Sequence, residues 1–225
     1  MSDTDSFINE VNEEVRRDRL YGYLRRYGWI GVLLVVLLVG GAAFSEYLKA
    51  QARGEAQALG DGMLAALSAS APEARADALS RLTADGPNAR VLLAMLQASA
   101  AQDVGDTTEA VEALNAVAIT PDVDPIYRQI ASFKALTLQA DTLEPDALRQ
   151  QFEALAAPGA PLRLLALEQL ALINVAAGET QAAIDGYQDI LQDAAVTPDL
   201  QQRALQVIVA LGGEPDLSNL PNAGN

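Results

Sequence analysis

The sequence of 225 residues contains neither cysteine nor histidine. Without cysteine there is no disulfide framework, and the redox environment of the protein cannot be inferred. The absence of both residue types excludes the serine–histidine and cysteine–histidine nucleophile systems and the usual zinc sites. We therefore predict no catalytic residues, no cofactor and no metal site, and we do not expect an enzyme.

Basic residues are also scarce. The chain has 15 lysines and arginines against 30 acidic residues, a net charge of −15. From Lys49 onward there are ten basic and twenty-three acidic residues, a net charge of −13. Such a surface repels nucleic acid and anionic lipid, so no nucleic-acid partner is expected. The pair Asp122 and Asp124 lacks the glycine and final glutamate of a calcium loop, and we interpret it as solvated acids.

One long apolar run stands near the start of the chain. Tyr27 to Ser45 carries no charge and spans roughly 28 Å as a helix, close to the hydrocarbon thickness of a bilayer. We predict a transmembrane helix over residues 27–48, with lipid contacts through Tyr27, Trp29, Phe44 and Tyr47. The alternative is a cleaved export signal, for which Gly41 and Ala43 could be the small residues before the cut. The length of the run and the acidic segment before it favour the anchor.

The charges that flank this run predict its orientation. Five arginines precede it closely, whereas only Lys49 and Arg53 follow closely. Because positive residues stay on the cytoplasmic side, we predict a single-pass membrane protein with residues 1–26 in the cytoplasm and the C-terminal part on the other side of the membrane. Within residues 1–26, four apolar side chains share one helical face: Phe7, Ile8, Val11 and Val15. This short amphipathic helix either docks on a partner or headgroups, or is a frayed topology signal.

The remainder of the chain is predicted to be all-α. Proline and glycine turn signals separate segments of helical periodicity, and no segment alternates as a strand does. We predict a helical domain on the translocated side over residues 49–212. The last residues, 213–225, have no periodicity and are predicted to be a disordered tail.

Two segments of this domain are similar to each other. GDTTEAVEALNAV begins at Gly105, and GETQAAIDGYQDI begins at Gly178. Their offset of 73 residues is about two periods of a 34-residue helix–turn–helix repeat. Residues expected at the helix contacts are Ala98, Gly105, Ala110, Leu114, Leu167, Leu170, Ala171, Gly178, Ala183 and Tyr187.

This pattern resembles the tetratricopeptide family. Gly178, Ala183 and Tyr187 match its glycine turn and its small and large residues of the second helix, and Leu167, Leu170 and Ala171 match its first helix. The resemblance implies a solenoid of helical pairs that follows a single transmembrane helix in the chain. The alternative is an irregular alanine-rich helical bundle.

In a solenoid of this kind, the first helices of the pairs line an inner face. The register predicts a protein-binding face of Leu92, Met95, Leu165, Glu168 and Leu172, with an apolar strip and an acidic rim. The alternative is that these leucines belong to the core.

The opening segment, DSFINEVNEEVRRDRLYGYLRRYGW, followed by an anchor and helical pairs, resembles bacterial inner-membrane proteins of the YfgM family. The resemblance implies a bacterial inner-membrane protein with its helical domain in the periplasm. It also implies an ancillary role at the SecYEG translocon, beside periplasmic chaperones. Three functions stay open: a tethered scaffold for exported proteins, an assembly factor for an envelope complex, and an accessory subunit held through the small residues Gly40 to Ala43. The oligomeric state is not predicted.

Overall fold

The computed structural model describes the backbone of residues 3–218 and the side chains of Arg26 and residues 29–218. Within this part of the chain the protein is all-helical. The helices are α1 Asp3–Leu67, α2 Pro72–Ser80, α3 Pro87–Asp103, α4 Thr107–Ala118, α5 Pro125–Leu138, α6 Pro145–Leu155, α7 Arg163–Ala176, α8 Thr180–Gln192 and α9 Pro198–Ala210. The chain divides after Ala58 into two compact units, which are described separately.

The first unit consists of α1 up to Ala58. Every side chain from Trp29 to Ala58 is exposed, including the large apolar ones. The best window of 18 residues in this helix has a mean hydropathy of 2.0 and none of it is buried. An exposed helical segment that is apolar all round is suited to a lipid environment. Among the described residues there is therefore one helix long and apolar enough to cross a membrane.

The predicted anchor residues lie on this helix. Trp29, Phe44 and Tyr47 are all exposed, while the side chain of Tyr27 lies outside the described residues. The side chains of the predicted amphipathic segment within residues 1–26 also lie outside the described residues, apart from that of Arg26.

The second unit begins at Leu59, later than the predicted domain start at residue 49. The last turns of α1 belong to it because Met63 and Ala66 are buried against Leu79 of α2 and Leu93 of α3. The preceding residues of α1 have exposed side chains.

From α2 to α9, every helix packs against the next one in the chain. Four buried clusters follow the same order, each shared by three consecutive helical segments. The first joins the end of α1 to α2 and α3, the second joins α3, α4 and α5, the third joins α5, α6 and α7, and the fourth joins α7, α8 and α9. A core built from nearest neighbours is the packing scheme of helical-repeat proteins. The all-α prediction, with helical pairs behind an apolar N-terminal helix, is confirmed.

Local sequence signals set the helix starts. Pro87, Pro125 and Pro198 stand in the first turns of α3, α5 and α9, where the absent N–H has no helical partner to lose. Asp106 caps α4 by accepting a hydrogen bond from the N–H of Glu109, and Asp124 caps α5 by accepting one from the N–H of Ile126.

The segment after α9 is in contact with the domain. A Cβ added to Gly213 would lie 3.0 Å from Cδ1 of Ile184 and 3.1 Å from Cγ2 of Ile208. The side-chain amide of Gln188 donates to the carbonyl of Asp216, and its oxygen accepts from the N–H of Asp216, both at 2.9 Å. Gly213 and Asp216 therefore lie against the helices, within the segment that was predicted to be a disordered tail. Residues 219–225 of that tail lie outside the described residues.

Candidate protein-binding face

Two turns with the same hydrogen bonds connect α3 to α4 and α7 to α8. Gly105 and Gly178 have positive φ angles of 80° and 75°, a conformation that favours glycine. The N–H after each glycine returns to the end of the preceding helix: Asp106 donates to the Ala101 carbonyl at 2.8 Å, and Glu179 donates to the Asn174 carbonyl at 2.9 Å. This is the Schellman arrangement that ends a helix. The two glycines predicted from self-similarity therefore have equivalent structural roles.

The residues predicted to hold the pairs together are in the interior. Ala98 and Ala171 on the first helices are buried, as are Ala110, Leu114, Ala183 and Tyr187 on the second helices. Leu167 and Leu170 are half-buried and pack against buried clusters. Small residues on one helix opposite larger residues on its partner allow the close approach that the repeat register requires.

Two further packing residues were not predicted. A Cβ added to Gly186 would lie 3.3 Å from the Cβ of Ala171, so α7 and α8 approach closely at this point. The sequence signal for this contact was a glycine in the middle of a helix. Glycine lowers the stability of a helix, so its presence there indicates that close packing requires it. The second residue is Gln97, whose amide donates to the Leu79 carbonyl at 2.9 Å and so connects α3 to α2.

The structure brings together two of the five predicted binding residues. Leu92 and Met95 of α3 line an open groove together with Tyr127 and Ile130 of α5. Leu92 and Tyr127 are 54% and 42% exposed, which is high for such large side chains. The groove has a volume of about 350 Å³. Its walls come from the first helices of two consecutive pairs.

Leu165 and Leu172 are exposed on α7, which is also a first helix. They are seven residues apart, so they lie on one side of α7 about two turns from each other. Neither of them lines the groove between α3 and α5. A further first helix therefore also exposes apolar side chains, but these are separate from the groove between α3 and α5.

Glu168 does not form part of an acidic rim. Its side chain is only 12% exposed, and both of its carboxylate oxygens accept hydrogen bonds from Arg203 of α9, at 2.8 and 2.9 Å. The hydrogen bonds to Glu168 raise the pKa of Arg203 above its ordinary value. Burial, and secondarily the charge of Glu168, raises the pKa of the adjacent Tyr187 to about 12. The charge of Glu168 is thus neutralised between α7 and α9.

The other carboxylates are distributed unequally between the first and second helices of the pairs. The second helices α4, α6 and α8 carry six carboxylates, none of which is in an ion pair among the described residues. The first helices α3, α5 and α7 carry only Asp103 and Glu168, and these are bound by Arg75 and Arg203. The predicted acidic rim is therefore not on the first helices, which expose apolar and neutral polar groups together with a few cations.

A second cavity, of about 380 Å³, lies on the other side of α3. Its lining includes three buried residues, Leu93, Ala94 and Val117. Arg90 also lines it and forms an ion pair with Asp122. The cavity lies between α3, α4 and the loop of residues 82–84 that precedes α3, and we interpret it as a packing gap. Among the described residues no three acidic side chains are grouped closely enough to hold a metal ion.

No protein-family model matches this chain, and no curated protein is similar to it in sequence.

Proposed function

We propose that this protein is a membrane-tethered scaffold that binds other proteins through the exposed face of its first helices. The observation that carries the proposal is the groove of Leu92, Met95, Tyr127 and Ile130, which leaves large apolar side chains in solvent between two consecutive helical pairs. Grouped apolar exposure of this kind is typical of an interaction site. Stacked helical pairs commonly use such surfaces to bind extended segments.

The proposed location is the bacterial inner membrane, with the helical domain in the periplasm. The exposed apolar helix supports a membrane anchor, and the excess of arginines before it supports a cytoplasmic N-terminus. We assign the helical pairs to the tetratricopeptide type, on the two equivalent glycine turns 73 residues apart. The resemblance of the opening segment to the YfgM family supports a role beside the SecYEG translocon and periplasmic chaperones.

The proposal includes no catalytic step, cofactor or nucleic-acid partner. The alternative functions are an assembly factor for another envelope complex and an accessory subunit held through its anchor. For the accessory subunit, the helix offers Gly40 and Gly41, where an added Cβ would meet no other atom within 4 Å. A second transmembrane helix could approach closely at such a position.

Site-specific photo-crosslinking in living cells tests the proposal. A photoreactive residue at position 92 is expected to capture newly synthesised exported chains during a short labelling pulse. The matched control is Ile119 at the end of α4, which is apolar and 79% exposed but lies outside the groove. Equal capture from both positions would contradict the proposed face.

The same experiment distinguishes the alternatives. Capture of one mature complex, with no pulse-labelled chains, would favour an assembly factor. Capture only from a photoreactive residue at position 41 would favour an accessory subunit held by its anchor.

A further inference from the structure

The charge next to the α3–α5 groove differs in sign from the charge of the domain as a whole. Between Leu59 and Ser218 there are 22 acidic and eight basic residues. Five of these basic residues are in ion pairs, which leaves Arg81, Arg128 and Lys134 outside any ion pair within the described residues. Two of these three, Arg128 and Lys134, are on α5, a helix that carries no acidic residue. The helix that forms one wall of the groove is therefore a local concentration of positive charge.

Lys134 is placed to act on a ligand in this groove. It follows the lining residues Tyr127 and Ile130 by seven and four positions, so the three lie along one side of α5. Its side chain is exposed, and its Cα lies about 6 Å farther along the helix axis than that of Ile130.

The other end of α5 carries Asp124. Its carboxylate accepts a hydrogen bond from the N–H of Ile126 at 3.0 Å. It therefore caps the helix, where the positive end of the helix dipole stabilises its charge. Asp124 is thus engaged as the cap of α5, whereas Lys134, farther along the helix, is exposed and forms no ion pair among the described residues.

This inference rests on the proposed function. We propose that the α3–α5 groove selects an extended peptide segment that places one large apolar side chain among Leu92, Met95, Tyr127 and Ile130 and a carboxylate beside Lys134. In an extended chain, side chains two residues apart point to the same side and are separated by about 6.6 Å. This separation corresponds to the distance from Ile130 to Lys134 along α5. The expected recognition unit is therefore an apolar residue and an acidic residue with one residue between them.

The net negative charge of the domain does not prevent this binding at physiological salt. Charges farther away than about 8 Å are largely screened under these conditions, so the nearest cation dominates. A segment with a basic residue at the same position would instead be repelled by Lys134. A second copy of the chain is a less suitable occupant, because the two acidic domains repel each other.

The test is a peptide-binding titration with the full-length protein in nanodiscs of neutral lipid, measured by fluorescence anisotropy. Each labelled probe is a heptapeptide of serine and glycine with one central phenylalanine. Two probes carry glutamate, one two residues after and one two residues before the phenylalanine, because the direction of the bound chain is open. Their matched controls carry glutamine or lysine at the same positions. We expect one of the glutamate peptides to bind about threefold tighter than its glutamine control, and the lysine peptide to bind weakest.

Charge reversal identifies the cation. Lys134→Glu is expected to reverse the order of the peptide affinities, so that the lysine peptide binds tightest. Arg81→Glu, at an exposed cation at the end of α2, makes the same change in net charge outside the groove and should leave the order unchanged. An order that Lys134→Glu does not alter, or that Arg81→Glu alters equally, overturns the inference.

The inference and the proposed function fail in different ways. If all the phenylalanine peptides bind equally, the charge preference is wrong while a protein-binding groove stands. If none of the peptides binds but position 92 captures exported chains in cells, the assigned recognition unit is wrong and the scaffold function stands. If neither binding nor capture is observed, both are wrong.

Discussion

Glu168 on α7 and Arg203 on α9 are joined by two parallel hydrogen bonds, at 2.8 and 2.9 Å. By the 73-residue offset, Glu168 corresponds to Met95, which lines the groove between α3 and α5. The same repeat position is therefore an apolar groove residue in one pair and half of an ion pair in the other. The ion pair neutralises this position between α7 and α9, so Glu168 does not extend an apolar surface there.

The first prediction concerns this ion pair. Arg203→Ala should lower the free energy of unfolding by about 1–3 kcal/mol, because it leaves the nearly buried carboxylate of Glu168 without its partner. The double variant Glu168→Met with Arg203→Met should recover most of the loss, since apolar side chains can replace such a pair at little cost. Urea unfolding of the two variants measures both effects. A double variant no more stable than Arg203→Ala would show that the pair itself stabilises the domain.

The sequence was sufficient for the features that depend on local pattern. Gly105 and Gly178 were identified because the left-handed end of a helix favours glycine, and Ala171 and Ala183 because close helix pairs require small residues. Self-similarity then gave the register that places Leu92 and Met95 at the groove.

Contacts between distant elements could not be predicted in this way. Glu168 and Arg203 are 35 positions apart, and nothing in either local pattern indicates that they meet. The two hydrogen bonds between the Gln188 side chain and the Asp216 backbone could not be predicted either, because an extended segment without periodicity does not indicate where it packs. Such contacts depend on how α7, α8 and α9 pack together.

The second prediction tests the packing of α7 against α8. Ala183 has no solvent exposure, so Ala183→Leu should overfill the contact and cost roughly 1–3 kcal/mol. Ala195 is exposed in the loop before α9 and provides the matched control. Thermal unfolding followed by circular dichroism should show a drop of several degrees for Ala183→Leu and little change for Ala195→Leu. Equal shifts for the two variants would mean that the repeat register is wrong.

The third prediction concerns alkaline pH. The pKa of Tyr187 is raised from 10.0 in the unfolded chain to about 12 in the folded protein, primarily by burial. The neutral phenol therefore contributes stability that is present below pH 10 and is lost as the pH rises from 10 to about 12. In Tyr187→Phe this titration is absent, so the free energy of unfolding should fall less steeply over that range. Urea unfolding at pH 9 and at pH 11 measures the difference; the same slope in both proteins would exclude Tyr187 as its cause.

The fourth prediction concerns orientation. Since arginines precede the apolar helix, protease added to spheroplasts should degrade the region after Lys49 and leave a small protected N-terminal fragment. Immunoblotting with tags at the two ends follows both parts. Full protection of the large domain would reverse the orientation. Release of a shortened soluble chain into the periplasm would instead indicate a cleaved signal near Ala43.

The last prediction separates the binding face from the core on a single helix. Leu172 is 40% exposed on α7, whereas the next residue, Ile173, is buried in the cluster shared by α5, α6 and α7. Leu172→Ser should weaken crosslinking to exported chains with little change in the melting temperature, because it removes apolar surface already in contact with solvent. Ile173→Ser should lower the melting temperature by several degrees, since it loses core packing and buries a hydroxyl without a partner, a cost of about 1–3 kcal/mol.

Crosslinking and circular-dichroism melts of the two variants provide the comparison. A stability loss for Leu172→Ser as large as that of Ile173→Ser would place Leu172 in the core. Unchanged crosslinking with intact stability would remove Leu172 from the binding face and restrict that face to the groove between α3 and α5.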